Sequence, residues 1–163
     1  MSQKRRLLFL VGGRIVTIDR EDAVILAKCK SLGVLKDHNT FYVQCKFNDG
    51  PRENLHRVIW RRKNGNFNHI IDHINGNGLD NRKSNLRESN FRLNAANSTK
   101  TGLRSSSKYK GVTKIKKAQR WQAVCDSLYL GLFDNELDAA KAYNKKAKEI
   151  YGEHARLNVV VKD

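Results

Sequence analysis

Acidic side chains are scarce in this sequence: 16 Asp and Glu stand against 32 Lys and Arg, a formal net charge of +16 over 163 residues. Proline occurs once, at Pro51, and cysteine three times. Cys29, Cys45 and Cys125 are odd in number, widely spread and never in a Cys-x-x-Cys pair. That argues against a disulfide framework and a cysteine zinc site, and suits a reducing cytosol. No apolar run approaches the ~20 residues of a membrane-spanning helix. No strongly amphipathic basic helix offers itself to a bilayer surface either. Lys4-Arg5-Arg6 before Leu7–Val11 has the order of a signal peptide, but the apolar run lasts five residues and ends at Gly12-Gly13-Arg14, so it is read as folded chain. A hydrophobic content of 39% is low for one large core and points to two or three small ones.

The positive charge is unevenly placed. Residues 1–60 carry a net +5, residues 61–120 a net +12 and residues 121–163 a net −1. A field concentrated in the middle third suits a chain lying along a polyanion, and without a membrane segment that polyanion is nucleic acid.

Residues 1–51 read as a β-rich region. Arg14–Ile18 alternates as a strand, Asp19–Leu32 is expected to hold a short helix with Val24, Ile25 and Ala27 partly buried, and Phe41–Phe47 is the clearest strand. Asn48-Asp49-Gly50-Pro51 is a turn, with Asp-Gly expected to supply the positive φ. Leu55–Trp60 is apolar and fits a strand or a helix. Residues 61–68 read as a basic loop.

The centre of the chain is Ile70-Ile71-Asp72-His73-Ile74-Asn75-Gly76, continuing to Asp80-Asn81-Arg82 and Asn85-Leu86-Arg87. His69–Ile74 is expected to form a short strand, and Leu86–Glu88 a return strand. Ser89 is the expected N-cap of a polar helix in which Asn90, Asn94 and Asn97 share a face. Asparagine competes with the helical backbone for hydrogen bonds, so three on one face need another use. The residue types suit phosphodiester hydrolysis. A neutral imidazole can take a proton from water near neutral pH, and carboxylate and amide oxygens are hard ligands suited to Mg²⁺. Strict strand alternation would point Asp72 and His73 apart, so convergence on one phosphate needs a local twist.

Ser98–Lys108 is small, polar and basic, a linker by composition. Beyond it, Tyr109–Ile115, Arg120–Asp126 and Leu128–Phe133 are strand candidates, with Asp126-Ser127 a tight turn and Lys116–Gln119 a looser one. Trp121, Ala123 and Cys125 are expected on one face, and Gln122, Val124 and Asp126 on the other. Asp134 is the expected cap of a helix in which Leu137, Ala140, Tyr143, Ala147 and Ile150 keep helical spacing. Arg156–Val159 is expected to close a module of three strands backed by one helix.

The run Asp72–Arg82 followed by Asn85-Leu86-Arg87 resembles the HNH motif of phage and intron-encoded homing endonucleases, and Leu55–Ile59 resembles the segment that precedes it there. That resemblance implies a ββα-metal fold and a divalent-metal-dependent endonuclease of duplex DNA leaving 5′-phosphate and 3′-hydroxyl ends. It also implies the bacterial or phage-infected cytosol. His73 would be the general base, and Asp72 and Asn94 the ligands of one divalent ion, Mg²⁺ with Mn²⁺ as a substitute and no zinc. Asn85 would pin the loop. Asn97 is the alternative to Asn94, with His56 and Arg82 as supporting residues. No small-molecule cofactor is implied, and oligomeric state is left open.

Tyr109–Val112, Arg120–Ala123, Tyr129–Asp134, Ala139–Tyr143 and Leu157-Asn158 resemble the plant ethylene-response-factor (APETALA-two class) DNA-binding domain. There the sheet enters the major groove. Lys110, Thr113, Lys114, Arg120, Gln122 and Tyr129 are the candidate contacts here, with Lys116, Lys117, Arg61, Arg62 and Arg104 as further cations. Lys110 and Thr113 stand where the plant domains usually have arginine, so their sequence preference does not carry over. The expected class is α+β: a β-rich region (1–51), a ββα-metal module (52–98), a basic linker (99–108) and a sheet-plus-helix DNA-binding domain (109–160). The alternatives are a non-catalytic DNA-binding regulator and a basic RNA-binding protein.

Overall fold

A computed structural model describes residues 6–37, 40–99 and 106–160. The class is α+β, with small antiparallel sheets and, among the described residues, four α-helices, and the chain divides into two units, residues 1–91 and 92–163. Among the described residues no helix is long and apolar enough to cross a membrane.

In the first unit β1 (Arg6–Val11) pairs with β2 (Arg14–Asp19) through a two-residue turn at Gly12-Gly13. One face of this hairpin is buried, by Val11, Val16 and Ile18, because the side chains alternate at period two. A 3-10 turn (Arg20–Asp22) leads into α1 (Ala23–Lys28). The helix expected over 19–32 is therefore shorter. Ile25 is buried as expected, whereas Val24 and Ala27 are exposed. Ser31–Asp37 is a strand, β3, which pairs with β4 (Thr40–Lys46), and β4 with β5 (Arg52–Asn54). In the intervening turn the positive φ falls on Asn48, at 48°, not on Gly50.

Leu55–Trp60 resolves as helix, and α2 runs on through the expected basic loop to Asn64 (Leu55–Asn64). Its Leu55 and Ile59 join Val43, Cys45, Ile71 and Leu86 in the hydrophobic core that also takes Val16 and Ile18. Residue 51 thus lies inside one unit whose core draws on both sides of it. β6 (Ile70–His73) and β7 (Leu86–Ser89) form the last sheet, His73 lying opposite Leu86 and Asp72 opposite Arg87.

α3 spans Phe91–Asn97. Ser89 is not its cap: it ends β7, and its hydroxyl donates to the Asn90 carbonyl at 3.3 Å. The second unit contains a three-stranded meander, β8 (Val112–Ile115), β9 (Arg120–Cys125) and β10 (Leu128–Phe133), with α4 (Glu136–Tyr151) packed on it. Asp126 and Ser127 both take positive φ, 52° and 66°, the twist that a two-residue hairpin needs. Ala123 and Cys125 are buried and Trp121 packs beside them, as the alternation predicts. The cap of α4 is Asn135 rather than Asp134; its side-chain oxygen accepts from the Asp138 amide at 2.8 Å. Asp134 instead pairs with Arg120. Ala139, Ala140, Tyr143 and Ala147 form the buried face of α4. Asn158 closes the module: its side chain pairs with both main-chain polar groups of Lys110, while Asn144 does the same for Asn158.

Candidate active site

The loop from Ile74 to Asn85 has almost no apolar content, and its shape is set by side-chain amides. The Asn85 oxygen accepts from the Asn75 amide at 3.0 Å, and Asn85 Nδ2 donates to Asn75 Oδ1 (3.0 Å) and to the Asp80 carbonyl (2.7 Å). Asn75 Oδ1 also accepts from the Asn77 amide, and Asn77 Oδ1 from the Leu79 amide, so successive asparagines turn the chain on themselves. Gly78 lies where a Cβ would come within 2.5 Å of the Phe41 carbonyl and 2.6 Å of the Tyr42 ring. Only a residue without a side chain lets the loop pass there.

Asp80 is buried and gripped by both ends of the Arg82 fork, Nε to Oδ1 at 2.7 Å and Nη2 to Oδ2 at 2.6 Å. Burial alone would raise this carboxyl, but Arg82 and the Asn75 amide outweigh it and hold it below the usual carboxylate range. Arg82 is thereby committed to the loop.

Asp72 and His73, adjacent at the end of β6, are both buried and take different partners, as neighbouring strand residues do. The Asp72 carboxylate accepts from Arg87 across the sheet, at 3.0 Å and 3.2 Å. The His73 ring lies against His56 of α2, edge to face at 4.8 Å between centroids, and against Tyr42 of β4 at 5.8 Å. Its Nε2 is 3.3 Å from Asn81 Oδ1. Burial lowers the pKa of His73, in part offset by Asn81 and by the Asp72 and Asp80 carboxylates, so the ring is neutral near neutral pH.

His56 is 6% exposed, with no hydrogen-bond partner for Nδ1 among the described residues. Burial, then the neighbouring His73 and Arg57, push its pKa down to about 3. The unfolded chain therefore takes up a proton near pH 6.5 that the folded chain refuses. Stability is expected to be full above pH 6.5 and to fall at up to about 1.4 kcal/mol per pH unit as pH drops toward 3, His73 adding in the same direction. Urea unfolding against pH should show this slope, and His56→Phe should flatten it. An unchanged slope would place the acid sensitivity elsewhere.

The remaining candidates fall in several places. Asn90 lies outside α3; Asn94 on that helix is exposed and Asn97 buried. Arg61 pairs with Glu53 at 2.7 Å, and Arg62 reaches the Glu21 carbonyl and Asp22, so both are helix residues held by acidic neighbours rather than loop cations. In the second unit Lys110 Nζ donates to the carbonyls of Ala95, Ala96 and Ser98 at 2.7–2.9 Å, so it caps the end of α3 instead of facing outward. Thr113 and Gln122 are register partners on the sheet face away from α4, where Tyr129 is 61% exposed. Lys114 belongs to the other face, opposite Trp121, with Nζ 5.5 Å from that ring. Arg120 pairs with Asp134, and Lys116 and Lys117 are exposed in the turn. Arg104 lies outside the described residues. Tyr42 escaped the sequence reading altogether, while Asn81 and Arg87 stood in the central motif without a role of their own; strand pairing sets Arg87 opposite Asp72.

The class this region indicates is a nuclease of HNH type: residues 53–96, from β5 through α2, β6 and β7 into α3, match a family model described as HNH endonuclease. Among curated proteins the chain is similar to APETALA2-like protein 2 of Oryza sativa subsp. indica, 44% identical over 61 residues that cover 34% of this chain and 14% of that protein. APETALA2-like protein 2 of Oryza sativa subsp. japonica gives the same figures. The match thus spans about one-seventh of those relatives. No solved structure matches the chain.

Proposed function

We propose that this chain is a divalent-metal-dependent endonuclease of duplex DNA in which His73 is the general base. The observation that carries this reading is a buried, neutral imidazole at the end of β6, next in sequence to a buried carboxylate, within the stretch that matches the HNH endonuclease model. The donor types fit a hard cation: Asp72 supplies a carboxylate, and Asn94, or Asn97 in its place, an amide oxygen. Among the described residues no group of three His, Cys, Asp or Glu side chains is placed to hold a metal ion, and with few protein ligands water and phosphate oxygens would complete the shell, as Mg²⁺ prefers. When bound, the ion would neutralise charge on the phosphate and favour departure of the 3′ oxygen.

His73 takes a proton from water as the water oxygen forms its bond to phosphorus. The bond from phosphorus to the 3′ oxygen breaks with its electron pair on that oxygen, which then takes a proton from solvent. The products are a 5′-phosphate and a 3′-hydroxyl. Tyr42 and His56 pack against the ring and, by burying it, disfavour its charged form before reaction, while Asn75, Asn85 and the Asp80–Arg82 pair hold the loop that follows it. The sheet face with Thr113, Gln122 and Tyr129, and the cations of the β8–β9 turn, would bind the duplex.

Conversion of supercoiled plasmid tests the reading. Nicked circles are expected with Mg²⁺ and none with EDTA. Tight duplex binding without cleavage in Mg²⁺ or Mn²⁺, on varied substrates, would favour a DNA-binding regulator.

A further inference from the structure

α3 carries the asparagine ligand of the function proposed above, yet little in its own sequence makes it a helix. It has seven residues, where an isolated helix needs about 12–15, and Asn94 and Asn97 are poor residues for a helix interior. Its last turn holds no basic side chain to meet the negative, carbonyl end of the helix dipole. Residues 92–97 belong to the second unit, although the endonuclease match continues to residue 96. That unit supplies what the helix lacks. Arg92 pairs with Asp126 of the β9–β10 turn, and the Arg156 amide donates to the Ala96 carbonyl at 3.2 Å. Lys110 Nζ donates to the carbonyls of Ala95 (2.9 Å), Ala96 (2.7 Å) and Ser98 (2.9 Å), with the Ser98 hydroxyl farther off at 3.4 Å. Ala96 and Asn97 are buried, and Asn94 is exposed.

An ammonium has three N–H groups set as a tripod, and here three carbonyls stand within reach of them. The flat guanidinium fork of arginine cannot meet that set from the same backbone. The backbone of Lys110 is itself fixed, since Asn158 bonds both of its main-chain polar groups and Asn144 of α4 does the same for Asn158. From this geometry we infer that Lys110 is a positioning residue for the metal site: by closing the carbonyl end of α3 it keeps Asn94 on a formed helix. One ligand of the ion is thereby set by the sheet-plus-helix module and not by β6 and β7 alone. The clamp stands on the hydrogen bonds; its consequence for the metal rests on the nuclease reading.

The test separates the two. Lys110→Met keeps the stem and removes the ammonium. In the metal-free chain it is expected to speed amide exchange across α3 by about tenfold or more, while the ¹H–¹⁵N signals of β8, β9 and β10 hold their places. Duplex affinity and its salt dependence are expected to stay as in the wild type. The Mg²⁺ concentration for half-maximal nicking is expected to rise by about tenfold or more. Lys110→Arg, with the same charge, is expected to loosen α3 and raise the Mg²⁺ requirement in the same way. A phosphate contact would give another pattern: Lys110→Met would lower the salt slope of duplex binding by about one, and Lys110→Arg would restore it. That pattern, or α3 exchange unchanged in both variants, overturns the inference. Faster exchange with an unchanged Mg²⁺ requirement overturns it as well, since Asn94 would then need no clamp. Should the variants fail to fold, the wild-type ammonium decides. A slowly exchanging lysine NH₃⁺ signal unmoved by added duplex upholds the clamp, and its absence or its shift on duplex overturns it. A wild-type chain that cuts no DNA, with α3 loosened in Lys110→Met, upholds the clamp and overturns the nuclease reading instead.

Discussion

His73→Ala is expected to lower Mg²⁺-dependent nicking by ~100-fold or more while duplex binding stays within a few-fold, because a general base contributes on that scale and contributes nothing to phosphate contacts. The ring is 3% exposed and lies against Tyr42 and His56, so alanine also leaves a cavity. His73→Gln controls for this, filling most of the space with a side chain that has no basic nitrogen. Both variants should therefore fail alike in rate while differing in stability. Added imidazole should fit the cavity of the alanine variant and restore part of its rate, with no effect on the glutamine variant. If either variant nicks within threefold of the wild type at matched metal and salt, the base is elsewhere. His56 would then be the wrong place to look next, since its pKa of about 3 leaves it too weak a base for a proton from water.

What the sequence made legible was the part written in residue types with local meaning. Period-two alternation at Arg14–Ile18 and Arg120–Asp126 located strands, and Asp126-Ser127 located a hairpin whose two positive φ values suit short polar residues. The alanines of α4 lie on the buried face as their spacing required. Errors cluster at boundaries. α2 runs four residues into the expected basic loop, since Arg61, Arg62 and Lys63 are good helix formers and suit the negative end of the helix dipole. Asn135, not Asp134, caps α4 because both are capable caps and only the backbone decides between them. β3 escaped because Gly33, Lys36 and Asp37 dilute its alternation, and its pairing with β4 is a contact sequence pattern does not encode.

The same division runs through the site. Asp72, His73 and Asn85 stand in one short stretch, and the sequence alone singles them out there as candidates. Asn81 gains its meaning from Thr17, more than sixty residues earlier, and Tyr42 meets His73 only because β4 lies beside α2 and the final hairpin. Lys110 entered the sequence reading as a candidate DNA contact through the resemblance of its stretch to the plant domain. The three carbonyls that occupy its ammonium belong to the end of α3, and burial there lowers its pKa.

Gly111→Ala is expected to unfold the second unit, a larger effect than its single methyl suggests. Gly111 has φ of +73°, the left-handed region where a Cβ costs about 1–2 kcal/mol by itself. A Cβ built there comes within 2.1 Å and 2.4 Å of the Tyr143 ring and 2.5 Å of the Val124 carbonyl. Neither neighbour can yield. Tyr143 is 4% exposed and packs with Cys125 and Ala147, while the Gly111 carbonyl accepts from the Val124 amide at 2.8 Å. Moving the ring away opens the core, and moving the strand breaks that bond and the pairing of β8 with β9. Overpacking of this kind adds about 1–3 kcal/mol, so the combined cost is of the order of the whole stability of a small module. Circular dichroism melts should lose one transition and keep the other, and ¹H–¹⁵N spectra should lose the dispersed signals of residues 109–158 while those of β6 and β7 remain. Duplex affinity should fall with them if the free sheet face binds DNA. A variant that melts within a few degrees of the wild type would mean that β8 can shift against α4, and that the close packing at Gly111 is not what fixes this sheet on its helix.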